Sequence, residues 1–234
     1  MDGIPKRTPA LDIYLDSADP AAWEHWLPTG LFVGLTTNPL LLQRANIPCT
    51  VSSLKELARR GFDLGAQRIH MQVWGGSADE MCGVGQQLAA FAAAIDGNIV
   101  VKVPLTREGA ICARRLIQKK VPVTLTAVYA VHQVITALAL GANFAAPYLG
   151  RMTEAGQDGR ADVLAMHNLC TQHPHALRLL VASIRQVEDL LFLVEHGLRD
   201  FTISPALADA LFADPLTLQA ARDFEQAARA MGAE

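Results

Sequence analysis

Eight short apolar runs, each followed by a longer stretch of helical period, constrain this chain more than any other feature. The runs fall at residues 11–16, 31–36, 69–73, 99–103, 122–126, 143–148, 179–183 and 200–204. Amphipathic segments follow them, as at 79–95, 107–120, 129–140, 162–172 and 186–196. Strand–helix alternation at spacings of roughly 20 to 35 residues predicts right-handed βαβ units and a parallel sheet. Eight such units favour a closed (β/α)8 TIM barrel, although a doubly wound open sheet has the same local pattern. Two further helices are expected after the eighth strand, at 206–213 and 216–231. The second carries an apolar stripe through Leu218, Ala221, Phe224, Ala228 and Met231, to be covered by its own barrel or by a neighbouring subunit.

The whole chain fits one domain of this kind. Its 234 residues suffice for a barrel, and no Pro/Gly/Ser-rich linker or internal repeat divides them. The expected division is an N-terminal extension over 1–10 and the barrel over 11–234. Hydrophobic residues make up 51% of the chain, as strands buried on both faces require. The net charge of −3 is dispersed, without the basic stripe that would suit nucleic acid. The four cysteines, Cys49, Cys82, Cys112 and Cys170, form no C-x-x-C pair and no metal spacing with histidine, which favours reduced thiols. The first residues lack the apolar core of a secretory signal. The apolar region 121–147 is broken by His132, Gln133, Gly141 and Asn143, so no membrane partner is expected and the cytoplasm is the default location.

Chemistry is concentrated at the strand ends. Lys102 lies in the apolar run Ile99-Val100-Val101-Lys102-Val103-Pro104, where burial of an ammonium is costly. Alternation puts Val100, Lys102 and Pro104 on one face and Val101 and Val103 on the other. Desolvation favours a neutral amine, the form that attacks a carbonyl. A lysine paired with a buried carboxylate, or snorkelling from a strand edge, would fit this strand equally well. Polar residues also end other predicted strands: Asp16; Thr36, Thr37 and Asn38; Gln72; Thr126; Tyr148 and Arg151; Ser183 and Arg185. Barrel chemistry is located at that end of the strands. Asp16 and Ser183 could individually be helix caps, but polar groups on six other strand ends around one lysine suggest a site.

Six motifs then follow in order: Tyr14-Leu15-Asp16-Ser17-Ala18-Asp19, Gly34-Leu35-Thr36-Thr37-Asn38-Pro39, Val100-Val101-Lys102-Val103-Pro104, Thr126-Ala127-Val128-Tyr129, Ala146-Pro147-Tyr148-Leu149-Gly150-Arg151 and Ala182-Ser183-Ile184-Arg185. Together they resemble the transaldolase family, and especially its fructose-6-phosphate aldolase branch, from about Asp12 to the C-terminus. The resemblance implies a (β/α)8 barrel whose Schiff-base lysine, Lys102, lies on the fourth strand. It implies that Lys102 attacks a ketose phosphate, that Asp16 orients hydroxyls and assists proton transfer, and that Asn38, beside Thr37, holds the donor. A water held by Gln72, Thr126 and Tyr148 would relay protons. The iminium is the electron sink, so neither metal nor cofactor is implied. Arg151, Ser183 and Arg185 would hold the phosphate, since guanidinium groups suit a dianion. The expected partners are a sugar phosphate, or dihydroxyacetone with an aldehyde, and further copies of the chain in a ring-type pentamer or decamer.

Within the family, transaldolases tend to carry Glu and Phe where this chain has Gln72 and Tyr148, which favours the aldolase branch. Gly150 and Ile184-Arg185 are more transaldolase-like. The alternatives are therefore a transaldolase passing a dihydroxyacetone unit between sugar phosphates, and a barrel that binds sugar phosphates without turnover. The histidines fit no metal pattern: His173 and His175 flank Pro174 in a polar loop, and His132 is expected to serve packing. Gly75-Gly76 reads as a turn and not a dinucleotide fingerprint. Trp74 departs from the family pattern and is expected either in the core or narrowing the acceptor side.

Overall fold

A computed structural model describes residues 10–173 and 177–233. Eight parallel strands close into a barrel in sequence order, with β1 beside β8, so the open-sheet alternative does not apply. The strands are β1 (Asp12–Asp16), β2 (Gly34–Thr36), β3 (Arg68–Gln72), β4 (Ile99–Pro104), β5 (Val123–Val128), β6 (Phe144–Pro147), β7 (Arg178–Val181) and β8 (Asp200–Ile203). The early helices are α1 (Pro20–Trp26), α2 (Pro39–Arg44), α3 (Val51–Asp63), α4 (Ala78–Ala94) and α5 (Arg107–Gln118). Next come α6 (Gln133–Leu140), α7 (Leu149–Glu154), α8 (Gly159–Thr171) and α9 (Val187–Glu195). Two more, α10 (Pro205–Ala210) and α11 (Pro215–Ala230), follow β8 as expected. Residues 1–9 of the expected N-terminal extension lie outside the described residues, as do Pro174 and His175.

Alternation along the strands sorts two cores. Ile13, Leu15, Leu35, Met71, Val101, Val103, Leu125, Val181 and Phe201 point outward and pack beneath the helices. Tyr14, Val100, Phe144 and Leu180 form a separate apolar cluster in the lumen. Val100 and Lys102 share parity on β4, so the lysine belongs to the inner wall. Gly34 permits close approach of β2 and β3, because a Cβ there would lie 1.8 Å from the Arg68 carbonyl oxygen. Side-chain caps start several helices, among them Asp19 on α1, Thr106 on α5 and a Ser77–Glu80 capping box on α4. α6 starts four residues later than its periodicity predicts. The Gln133 side chain accepts from the Tyr129 and Ala130 N–H groups and holds both in a loop.

Two strands begin one residue earlier than the sequence reading has them, at Arg68 and Arg178. Both arginines close the N-terminal end of the lumen. Arg178 donates to Asp12 at 2.6 Å and through Nε to Asp200 at 2.9 Å, while Arg68 donates to the Tyr14 hydroxyl at 2.7 Å. Both guanidinium groups also lie over the Phe144 ring, at 5.6 and 5.0 Å. Burial raises the pKa of Asp200, and the contacts from Arg178 only partly offset that effect.

α11 has no buried residue: Leu216, Leu218, Phe224 and Met231 are all exposed, so its stripe is not covered by its own barrel. No described helix is long and apolar enough to cross a membrane.

Arg178→Ala should destabilise the fold by about 2–3 kcal/mol. That is less than the roughly 3–5 kcal/mol of a fully buried pair, because the guanidinium is 44% exposed. Urea unfolding followed by far-UV circular dichroism measures it, and a loss below about 0.5 kcal/mol would mean that this network does not brace the barrel.

Candidate active site

Lys102 is 2% exposed, and among the described residues it forms no ion pair. Its Nζ donates to the Thr37 carbonyl oxygen at 3.2 Å. The carboxylate-paired and snorkelling readings are therefore both absent from the structure. The amine opens into a cleft of about 90 Å³ at the C-terminal mouth, lined also by Asp16, Asn38, Leu40, Leu41, Arg44, Tyr148, Arg151, Ala182, Ser183 and Arg185.

Neither Asp16 nor Ser183 caps a helix. Asp19 caps α1, and Gln186 occupies the start of α9 without a side-chain bond. Asp16 instead accepts from the Thr36 hydroxyl at 2.6 Å, and Thr36 also meets the Thr202 hydroxyl at 2.5 Å. This row of hydroxyls fixes the carboxylate at the end of β1. Asn38 does act as a cap: its Oδ1 accepts from the Leu41 N–H at 3.0 Å. That leaves the amide NH2 as the group able to donate into the cleft. Thr37 contributes its backbone to Lys102, while its hydroxyl is buried without a partner.

Tyr148 and Thr126 are joined by a 2.9 Å hydroxyl–hydroxyl hydrogen bond. A bulge in β5, with Ala127 at a φ of 59°, shifts the register here and lets the Tyr148 N–H reach the Val128 carbonyl. Gln72 lies beside Lys102 in the β3–β4 register. Thr126 and Gln72 do not themselves line the cleft; they stand behind Tyr148 and beside Lys102. Such an arrangement can hold a water near the amine and pass protons through it.

Arg151, on the first turn of α7, donates to the Tyr129 hydroxyl at 3.2 Å and lies 5.2 Å from the centre of the Tyr148 ring. The Tyr129 contact raises its pKa further. Arg185 donates through Nε to Glu154 at 2.8 Å, which holds that carboxyl below its usual range. Ser183 adopts a φ of 59°, and its hydroxyl is buried without a partner. The Gly150 N–H donates to the Ser183 carbonyl at 2.8 Å. A Cβ on Gly150 would lie 2.3 Å from that oxygen and 2.7 Å from Arg185 Cγ, so glycine is required for the β6 and β7 loops to meet.

The sequence reading missed Arg44 and His70. Arg44 lies four residues after Leu40 on α2, a spacing that puts both on one helix face. His70 shares inward parity with Gln72 on β3 and is fully buried. Its Nδ1 and the Thr124 hydroxyl are 2.8 Å apart, its Nε2 has no partner, and Tyr14 and Phe144 meet its ring edge-on. Trp74 packs partly buried against the outer core and does not line the cleft. His132 is exposed ahead of α6 rather than packed, and His173 is exposed.

Fold and cleft together define a (β/α)8 barrel that presents a buried amine at its C-terminal mouth, ringed by arginines, hydroxyls and one carboxylate. The family model described as Transaldolase/Fructose-6-phosphate aldolase matches residues 13–234. A probable transaldolase of Caulobacter vibrioides is 30% identical over 207 residues, covering 88% of this chain and 91% of that one. Another, from Rhodospirillum centenum, is 31% identical over 208 residues, with 88% and 86% covered. A third, from Nitrosopumilus maritimus, is 27% identical over 210 residues, with 88% and 90% covered. The flavin-binding domain of baker's yeast flavocytochrome b2 superposes with a TM-score of 0.57 at 14% identity. That match spans 83% of this chain and 57% of that one, and it is a likeness of fold alone. The chain belongs to the transaldolase/fructose-6-phosphate aldolase family, whose members are enzymes.

Burial holds His70 well below its ordinary pKa of 6.5, and the charges of Lys102, Arg68 and Arg178 push it the same way. As pH falls, the unfolded chain therefore takes up this proton before the folded one. The stability from neutral His70 is fully present above the unfolded value and is lost as pH falls toward the folded one. The Tm should drop between about pH 7 and pH 5, and His70→Phe should drop less over the same interval. Parallel curves in differential scanning calorimetry would remove His70 as a source of acid sensitivity.

Proposed function

We propose that this protein is a class I, Schiff-base-forming aldolase. It would reversibly cleave fructose 6-phosphate, or a similar ketose phosphate, to dihydroxyacetone and an aldehyde such as glyceraldehyde 3-phosphate. The observation that carries the reading is Lys102: a buried amine without a counter-ion among the described residues, opening into a cleft with a carboxylate and hydroxyls at hand. In the proposed sequence, Nζ adds to the C2 ketone and loss of water gives the iminium. A proton then leaves the C4 hydroxyl, assisted by Asp16; the C3–C4 bond breaks, its electrons pass into the iminium, and the aldehyde departs. The remaining enamine is protonated at C3 and hydrolysed to free dihydroxyacetone.

Asn38 would hold the donor hydroxyls through its amide NH2, and Arg151, Ser183 and Arg185 would hold the phosphate. The hydrogen-bonded Thr126–Tyr148 pair, with Gln72 beside Lys102, supports an aldolase over a transferase. A tyrosine hydroxyl can hold and activate the water that hydrolyses the enamine-derived iminium. Transaldolase activity is the second reading. It is favoured by the names of the relatives and by Gly150, which brings the two arginine-bearing loops together. We also propose a homo-oligomer in which the exposed stripe of α11 meets another copy of the chain.

Borohydride with dihydroxyacetone should fix mass onto the wild type and not onto Lys102→Met, whose far-UV spectrum should be unchanged. Trapping that persists in that variant would place the Schiff base elsewhere. Wild type should release glyceraldehyde 3-phosphate from fructose 6-phosphate without an acceptor, and Tyr148→Phe should slow ketone release. A wild type that is inert until erythrose 4-phosphate is added would establish the transferase reading instead. Sedimentation velocity should show a species several times heavier than the 25.2 kDa chain. Substituting Leu218 and Phe224 with Ser should lower that mass, and an unchanged mass would exclude α11 as the contact.

A further inference from the structure

We infer that Arg44 is a specificity-determining residue, which grips the substrate phosphate from the rim opposite Arg151 and Arg185. The inference rests on the sugar-phosphate reading of the cleft and extends it to a residue outside the six motifs. Asn38 caps α2, and the i, i+4 spacing of Leu40 and Arg44 turns both toward the cleft that Lys102 opens into. In the closed strand order β2 stands across the lumen from β6. Arg44, which follows β2, therefore faces Arg151, which follows β6.

Charge balance explains why a third guanidinium belongs there. The lining carries three guanidinium groups, Arg44, Arg151 and Arg185, beside the Lys102 amine and against the single carboxylate of Asp16. Arg185 already shares its charge with Glu154, and Arg151 is engaged only by a neutral phenol and an aromatic face. A phosphate dianion at the mouth would thus meet one unshared guanidinium from the β6–β7 side. Arg44, which makes no side-chain hydrogen bond or ion pair among the described residues, supplies the second. The buried, unpartnered Ser183 hydroxyl adds a neutral donor to the same cleft. Two arginines held in place on one rim and one unheld on the other make Arg44 the contact that closes on the anion.

Isothermal titration with inorganic phosphate tests this without catalysis. Arg44→Gln should weaken phosphate binding about tenfold, the low end for a charge-assisted contact at a solvent-facing rim. Arg44→Lys, which keeps the charge and loses the fork, should fall between the two. Arg114→Gln removes the same charge from an exposed position on α5 and should bind as wild type does. With fructose 6-phosphate, Arg44→Gln should raise KM by more than it lowers kcat. Wild type that does not bind phosphate, equal binding by wild type and Arg44→Gln, or equal weakening by Arg114→Gln would each overturn the inference. Failure of borohydride trapping at Lys102 would overturn the aldolase reading and leave the phosphate titration to stand. A trapped lysine together with phosphate affinity indifferent to Arg44 would overturn this inference alone.

Discussion

An amine enclosed without a counter-ion is the constraint on which the rest of this architecture depends. Desolvating a charge is costly, and the usual remedy is a carboxylate within ion-pair reach. Among the described residues Lys102 has none; a backbone carbonyl from the adjoining wall is its contact. The eight-stranded barrel makes that arrangement tolerable, because its inner wall is rigid and its C-terminal end is open. The apolar helices outside carry the packing, which frees the lumen for groups that a closed core would reject.

Those groups are arranged in levels. At the N-terminal end, Asp12, Arg68, Arg178 and Asp200 satisfy one another around Phe144. Above them Tyr14, Val100 and Leu180 share the middle of the lumen with His70 and Thr124, and Lys102 follows nearer the mouth. The lumen thus passes from paired charges, through apolar side chains interleaved with one imidazole and one hydroxyl, to the amine. The lower charges are matched in sign and number, whereas those at the mouth are predominantly positive. That contrast separates the end that holds the barrel together from the end that carries the candidate site.

The barrel was legible because outward-facing residues on every strand are apolar, and because helix caps such as Ser77 and Thr106 stand where the alternation requires them. Parity put Val100 and Lys102 on one face, and that face proved to be the lumen; the role expected of the lysine came from the six motifs. Arg68 and Arg178 were not legible, since a charge at a strand's edge looks like loop until its partner across the barrel is known. His70 was hidden between apolar neighbours, where a single imidazole carries no pattern. Arg44 resembled a solvated surface residue, because only the closed strand order brings α2 across from α7. Asn38 was read as a ligand, and its duty as a helix cap became visible only in the structure.

The contact between Gly150 and Ser183 has a consequence for how this site can change. One backbone hydrogen bond, with no room for a side chain, ties the loop that bears Arg151 to the loop that bears Arg185. The two guanidinium groups are therefore mounted on a single jaw rather than on two independent arms. Exchanging either side chain alters charge and reach but leaves the spacing between their attachment points unchanged. A descendant of this chain with a wider cleft must move both loops together, or else change its lining at α2, the rim that is not fastened to them.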